Sequence, residues 1–419
     1  MKKFLSIILA LVILFTISAC SKTSVDELEI EFYHQIGTDV EKNKQLFDQI
    51  IEDFENENPG IKVKHVCLPV EETWTVLSTR IQNNDTPDVF NGWFDTEEFK
   101  LMDSGVVADL TGSKLCDYVA SDVLEKHTLN GKNYILPMTL NFVGVYYNVN
   151  IFNENNISIP TTMDEFWAVC EKLEALGITP ISAGDKDAWN LGYTSQVFMG
   201  YLMPNCVSEF DSIFKEEMHV SEMVGIADFA DAMIKRGKYT QSGAMGADAD
   251  AMLSNFVNQN AAMMIEGANW LATLNSADLD FEYSIFPFPG KNAEDTQIMI
   301  NADISLMISS SCSEEKRIAA EKFVEFLLTK GAKYYIEQTD CPSALKGIKA
   351  SGEHYKLVQT LLDNSQTFSR PIAGHWTDAS FMEYQVALQS LLVSKDKDAF
   401  YEEVEQSLLT HGKPPIYLN

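Results

Sequence analysis

Hydrophobic positions along the chain switch repeatedly between a period of two and a period near 3.6. Leu28–Phe32 alternates as a strand, and Asn43–Phe54 sets Leu46, Phe47, Ile50, Ile51 and Phe54 on one helical face. Asn58-Pro59-Gly60 stops that helix and Ile61–Val66 makes a second strand, so strand, helix and strand open a parallel α/β sheet. Thr73–Gln82 reads as a helix, Asn83-Asn84-Asp85-Thr86-Pro87 as a turn, and Asp88-Val89-Phe90 as a short buried strand. Gly92-Trp93-Phe94-Asp95 follows at once. Ligands of open parallel sheets sit outside the carboxyl ends of the strands, which is where this puts Trp93 and Asp95.

The stretch Gly131–Phe152 is the least ordinary of the chain. Its two β-rich runs, Tyr134–Met138 and Val143–Val149, are joined by Thr139-Leu140-Asn141-Phe142 without a tight-turn dipeptide. The runs are either neighbouring strands of one sheet or a segment that passes from one domain into another. Beyond them, Thr162 and Glu165 form a capping-box pattern for a helix with Phe166, Val169, Cys170 and Leu173 on its buried face. Gly177 ends it and Ile178–Ile181 resumes a strand, after which helices occupy roughly 190–238. Phe256–Trp270 reads as a helix end, a strand at Ala261–Ile265 and a glycine-containing turn that presents Trp270. Tyr283–Phe288 and Asp303–Ile308 are strands, Ser313 caps a helix carrying Ala319, Phe323, Val324 and Leu327, and Ser380–Thr410 is helical.

At 419 residues the chain exceeds the roughly 250–300 at which one core stops growing, so two domains are expected. No glycine/serine linker separates them, which implies tight packing or several crossing strands. A net charge of −30 repels nucleic acid and sets DNA and RNA aside as partners. Lys2 and Lys3 precede an apolar run from Phe4 to Ile17, shorter than the roughly 20 residues of a membrane-spanning helix, and this reads as a secretory signal. Its end, Ile17-Ser18-Ala19-Cys20, resembles the bacterial lipobox, with isoleucine where leucine is preferred. That resemblance implies a leader over 1–19, lipid attachment at Cys20 and a tether to residue 25, anchoring the protein at the cell membrane. Cys67, Cys116, Cys170, Cys206, Cys312 and Cys341 are widely spread with no Cys-x-x-Cys, and read as mostly unpaired thiols.

Catalytic motifs are missing: there is no Gly-x-Ser-x-Gly, His-Glu-x-x-His, Gly-x-x-x-x-Gly-Lys-Ser/Thr or Gly-x-Gly-x-x-Gly. Asp248 and Asp250 have a calcium-like spacing but lack the glycine and distal glutamate of an EF-hand loop, so a solvated helix start is the reading and no metal site is assigned. Chance carboxylate pairs among 61 acidic residues leave a secreted glycoside hydrolase as the rival from another class.

Several stretches, in order, are similar to the extracellular solute-binding proteins of the sugar-binding family that includes maltose-binding protein. These are FENENPGIKVKHV, TPDVFNGW, LPMTLNFVGVYYNVNIF with IPTTMDEFWAVCEKL, FVNQNAAMMIEGANW, FPFPG and AEKFVEFLLTKGAKYYIEQTDCPSALKGI. The resemblance covers the mature chain except about 189–246. It implies an α/β, two-domain periplasmic-binding-protein-like fold with hinge crossings near Thr139–Val143, Asn301–Ile304 and Cys341–Leu345. The first domain would comprise 26–140 and 303–342, the second 141–302 and 343–419. It also implies a monomeric, non-enzymatic receptor of an ATP-driven importer that captures a sugar in the interdomain cleft, without a cofactor, and delivers it to a membrane permease. A receptor for a non-sugar solute is the further alternative.

Sugars present apolar faces and many hydroxyls, and are held by flat aromatics together with carboxylates or amides. The resemblance matches Trp93, Asp95, Trp270 and Trp376 to ligand-contacting stretches; core packing is the competing role of each tryptophan. Trp189, in GDKDAWNLGY, is an additional platform. Asn141 and Asp303 stand at crossings, where a polar residue either faces the cleft or bonds a neighbour, with Asn141 and Phe142 expected at the cleft floor. His34 would lie at the cleft mouth or be an ordinary surface histidine.

Overall fold

A computed structural model describes residues 27–35, 40–68 and 70–414 of the chain. Two mixed sheets organise it. The first has the order β2 (Ile61–Leu68), β1 (Leu28–Gln35), β3 (Val89–Asn91), β10 (Ser305–Ile308), β4 (Leu136–Pro137). Here β1 runs parallel to β2 and β3, as the strand–helix–strand opening requires, and β10 is antiparallel to both its neighbours. Alternation along β1 divides its side chains between two helical layers. Ile30 and Phe32 pack with Phe47, Ile50 and Phe54 of the helix Val40–Glu57 and with Phe323 and Val324 of the helix Glu314–Phe326. Tyr33 faces the other way, to Leu77, Phe90, Phe99 and Met307.

The second sheet has the order β11 (Thr367–Ser369), β9 (Ile298–Ala302), β5 (Leu140–Asn148), β7 (Ala261–Gly267), β6 (Thr179–Ser182), with β8 (Tyr283–Pro287) also paired to β5. All nine residues of β5 are buried, because helices cover both faces of this central strand. Val143, Val145 and Tyr147 meet Phe166, Cys170, Leu173 and Phe198, and the helices Asp378–Ser394 and Lys397–His411 extend that core. On the opposite face Phe142 and Tyr146 meet Trp270, Tyr283 and Tyr355.

The stretch 131–152 therefore does change sheets: β4 belongs to the first and β5 to the second, with only Met138 and Thr139 between them. The expected single strand Asp303–Ile308 is instead divided. β9 ends at Ala302 in the second sheet and β10 begins at Ser305 in the first. Thr139 joins these two crossings. Its hydroxyl accepts from Ile304 N (3.0 Å) and donates to the Asp303 carboxylate (3.3 Å), while its carbonyl accepts from Asp303 N (3.1 Å). Thr139 also bridges to Ser343, and Leu140 N donates to Pro342 O (2.8 Å), bringing the segment 341–345, expected as the third crossing, alongside. Ala344 and Leu345 still pack in the first core.

None of the six cysteines after Cys20 is paired in a disulfide with another described cysteine. Asp248 caps the helix Ala249–Val257 through Ala251 N (3.0 Å), the helix-start role read for it. Among the described residues no cluster of three metal-ligating side chains occurs, and no helix is long and apolar enough to cross a membrane.

Trp270 is 1% exposed, and its indole donates to the Glu266 carboxylate (3.2 Å). Trp270→Ala should cost about 3–5 kcal/mol of stability, the usual loss for deleting a buried aromatic. Trp189→Ala, at a position 46% exposed, should cost under about 1 kcal/mol. Urea unfolding of the two variants checks both values.

Candidate functional site

The carboxyl end of β3 carries the site. Gly92 follows the strand because a Cβ there would lie 2.4 Å from Met307 Cε and 3.1 Å from Glu98 Cγ. Trp93 comes next, its backbone N–H donating to Glu98 Oε1 (3.1 Å). Asp95 caps the helix Thr96–Asp103 by accepting from Thr96 N (2.9 Å). Strand, carboxylate and helix cap together fix the loop that bears the half-buried Trp93.

Trp93 lines two pockets. One, of about 230 Å³, lies within the first domain and reaches the start of the helix Asp378–Ser394; its polar wall is Thr73, Asn91, Asp95, Glu98 and Asp378, with Trp74 beside Trp93. The other, of about 190 Å³, lies between the domains. Trp93, Phe94, Lys126 and His127 come from the first, and Asn301, Ser369, Arg370 and His375 from the second.

Direct contacts cross the cleft at the same place. Arg370 Nη1 pairs with Asp95 Oδ2 (3.1 Å), and Gly374 N reaches Asp95 Oδ1 (3.4 Å). The Thr96 hydroxyl donates to Trp376 O (2.9 Å), and Lys126 Nζ donates to the Thr367 hydroxyl (2.7 Å). Arg370 is steadied by the rings of Tyr193 (5.6 Å) and Phe381 (5.8 Å), and the Tyr193 hydroxyl donates to Asn301 Oδ1 (2.8 Å). The domains are thus closed on each other around Trp93.

A family model for bacterial extracellular solute-binding proteins matches residues 49–361. The chain belongs to that family. It is 30% identical, over 79% of both chains, to the multiple sugar-binding protein of Streptococcus mutans. It is 23% identical to the melibiose/raffinose/stachyose-binding protein MelE of Bacillus subtilis, over 81% of this chain and 80% of that one. Among solved structures, RafE in complex with raffinose superposes with a TM-score of 0.79 at 24% identity, covering 92% of this chain and 99% of the other. The apo form of RafE from Streptococcus pneumoniae gives 0.75 at 23%, covering 91% and 98%. The two-domain fold is that of these solute-binding proteins, and an extracytoplasmic location follows from the family.

Of the residues singled out from the sequence, Trp93 and Asp95 come together at the cleft. Others do not. His34 is fully buried rather than at a cleft mouth or on the surface. It stacks on Phe32 and on His65, whose Nε2 lies 3.0 Å from His34 Nδ1, because its position in β1 points it at the helix Val40–Glu57. Trp270 is not presented by its turn but closes the core beside Phe142. The Trp376 indole is buried against Phe210 and Tyr384; only its carbonyl takes part in closure. Asn141 and Phe142 lie in the second sheet instead of on a cleft floor: the Asn141 side chain accepts from Ala268 N (2.6 Å), the neighbour-bonding alternative. Asp303 is spent on Thr139. Trp189 stands on the exposed face of the helix Ala188–Leu202 and lines neither pocket. Cys20, with its leader and tether, lies outside the described residues.

Reading the sequence missed Trp74, Asn91, Glu98, Asn301, Arg370 and Asp378. A signal for Glu98 was present, since Asp95 and Glu98 have the spacing of a capping box. The glutamate turns to Trp93 N instead, and so becomes part of the pocket wall.

Burial, reinforced by the charge of Asp95, pushes the Glu98 carboxyl up to about 8, so near neutral pH it is largely protonated and both donates and accepts. Burial likewise raises Glu266 to about 7 and Asp303 to about 6, and lowers His127. A carboxyl raised in the folded state holds its proton where the unfolded chain has lost it. Its contribution is therefore present in full below about 4.5 and is lost as pH rises towards 8. Glu98→Gln removes this loss. The variant should gain stability relative to the wild type by up to about 1.4 kcal/mol per pH unit between pH 5 and 8, measured as urea unfolding across that range.

Proposed function

We propose that the chain is the substrate-binding lipoprotein of an ATP-driven importer, capturing a saccharide between its domains and handing it to a membrane permease. The observation that carries this reading is the placement of Trp93. It is held at the carboxyl end of a parallel strand, in the cleft, with a pocket of carboxylate, amide and hydroxyl groups on one side and an interdomain pocket on the other. A flat ring among such groups suits a molecule with apolar faces and a rim of hydroxyls. Trp74 supplies a second aromatic to the first pocket. Family membership and the sugar-binding relatives support the same choice of ligand.

Domain motion enters through the three crossings at Thr139, which are the places where the backbone turns when the cleft opens. The division into 26–140 with 303–342 and 141–302 with 343–419 is kept, with the last boundary moved past Leu345 because Ala344 and Leu345 pack in the first core. Cys20 carries the lipid, the mature protein works as a monomer, and neither cofactor nor catalysis is part of its task.

A thermal-shift screen of mono- and oligosaccharides should find at least one that raises the melting temperature, since a ligand of the folded state alone stabilises it. Trp93→Ala should weaken that ligand at least tenfold by calorimetry while the protein stays folded. The sugar should be recovered intact after prolonged incubation; its cleavage would favour a hydrolase. No shift with any sugar, or unchanged affinity in Trp93→Ala, would defeat the assignment.

A further inference from the structure

The two pockets that share Trp93 have opposite polarity. The first contains Asp95, Glu98 and Asp378 and no basic residue. The interdomain pocket is lined by eleven residues, none of them Asp or Glu, although the chain has 61 of these against 31 Lys and Arg. Lys126, His127, Arg370 and His375 converge there instead. A concentration of cations and imidazoles at one point of a chain with a net charge of −30 calls for a local cause.

Contacts of the two permanent cations leave capacity for an anion. Lys126 Nζ donates to the hydroxyl of Thr367 (2.7 Å), and among the described residues no carboxylate lies within ion-pairing distance of it. Arg370 gives only Nη1 to Asp95, and its Nε, though buried, has no acceptor among the described residues. The guanidinium is fixed between Tyr193 and Phe381, which holds this pocket-lining cation in place for contact with an oxyanion. His127 donates from Nδ1 to the Val123 carbonyl (2.7 Å), so its ring, kept neutral by burial, presents Nε2 as an acceptor for a ligand hydroxyl and leaves the anion to Lys126 and Arg370. Ser369 and Asn301 add neutral polar groups.

We propose that the interdomain pocket seats the anionic substituent of an acidic saccharide, whose neutral rings lie across Trp93 towards the carboxylate-walled pocket; this rests on the saccharide reading above. Asp95 then has two tasks. It balances Arg370 while the pocket is empty, and from the other pocket it accepts ligand hydroxyls. Repulsion from the rest of the surface does not forbid such a ligand, because charges beyond about 8 Å are screened at physiological ionic strength, whereas pairing inside the cleft is not.

The test is calorimetry on matched pairs of oligosaccharides: xylotriose with and without a glucuronic acid branch, digalacturonate against galactobiose, and a sulfated against an unsulfated disaccharide. The acidic member of at least one pair should bind at least tenfold tighter than its neutral partner, with the advantage shrinking as salt rises. The uronic and sulfated arms tell carboxylate from sulfate ester. Lys126→Met, at an exposed position that does not threaten folding, should cut the advantage at least fivefold, and Arg370→Gln should abolish it. Neutral members binding as well as or better than acidic ones would overturn the proposal while leaving the saccharide reading intact. Acidic binding that ignores both substitutions would also overturn it, as would no binding by any member; the saccharide reading falls with it only if the wider sugar screen is empty too.

Discussion

Three backbone segments meet at Thr139, and the architecture depends on that junction. Two of them, β4 to β5 and β9 to β10, leave one sheet and enter the other within two residues, which would strand backbone N–H and C=O groups in a buried place, and the third runs alongside at Ser343. Thr139 resolves this with its own hydroxyl and carbonyl, bonding Ile304 and Asp303 on one side while its backbone bridges to Ser343 on the other. The junction is narrow, so the two cores on either side grow independently, each around its own sheet and helices. What lies between them is a cleft walled by the loop after β3 on one side and by the end of β9 on the other.

Closure is governed by charge as much as by shape. The Asp95–Arg370 pair is largely withdrawn from water, and an ion pair of this kind returns little net stability after desolvation. Its value is positional: it is satisfied only when Gly374 and Thr96 are also in place, so it favours a single closed arrangement. The raised Glu98 carboxyl fits the same economy, since a second full charge beside Asp95 would be left without a cation. Polarity is therefore divided across Trp93, acidic on one side and basic on the other.

Much of this was legible in the sequence. The strand–helix–strand opening and the helix faces from Leu46 to Phe54 and from Phe166 to Leu173 follow from hydrophobic period, whereas the change of sheet near Thr139 is left open by the residues, which fit neighbouring strands of one sheet as well, and is expected only from the family resemblance. Trp93 and Asp95 could be placed because a residue just beyond a buried parallel strand has only one end of the sheet to occupy. Trp270, Trp376 and His34 could not be separated from core residues by the same means. A turn before an aromatic says where the backbone bends, not which way the ring swings, and each of these rings found an apolar slot. Arg370, Asn301 and Asp378 were invisible for a different reason: their importance arises from a neighbour hundreds of positions away or across the cleft, and no local spacing encodes that.

A co-crystal structure with the saccharide that most stabilises the protein tests the central claim directly. The account predicts a sugar ring stacked on the Trp93 indole between the two domains, with hydroxyls on Asp95 or Glu98 and the far end of the ligand beside Arg370. A ligand bound elsewhere, with Trp93 bare and the Asp95–Arg370 contact untouched, would contradict it.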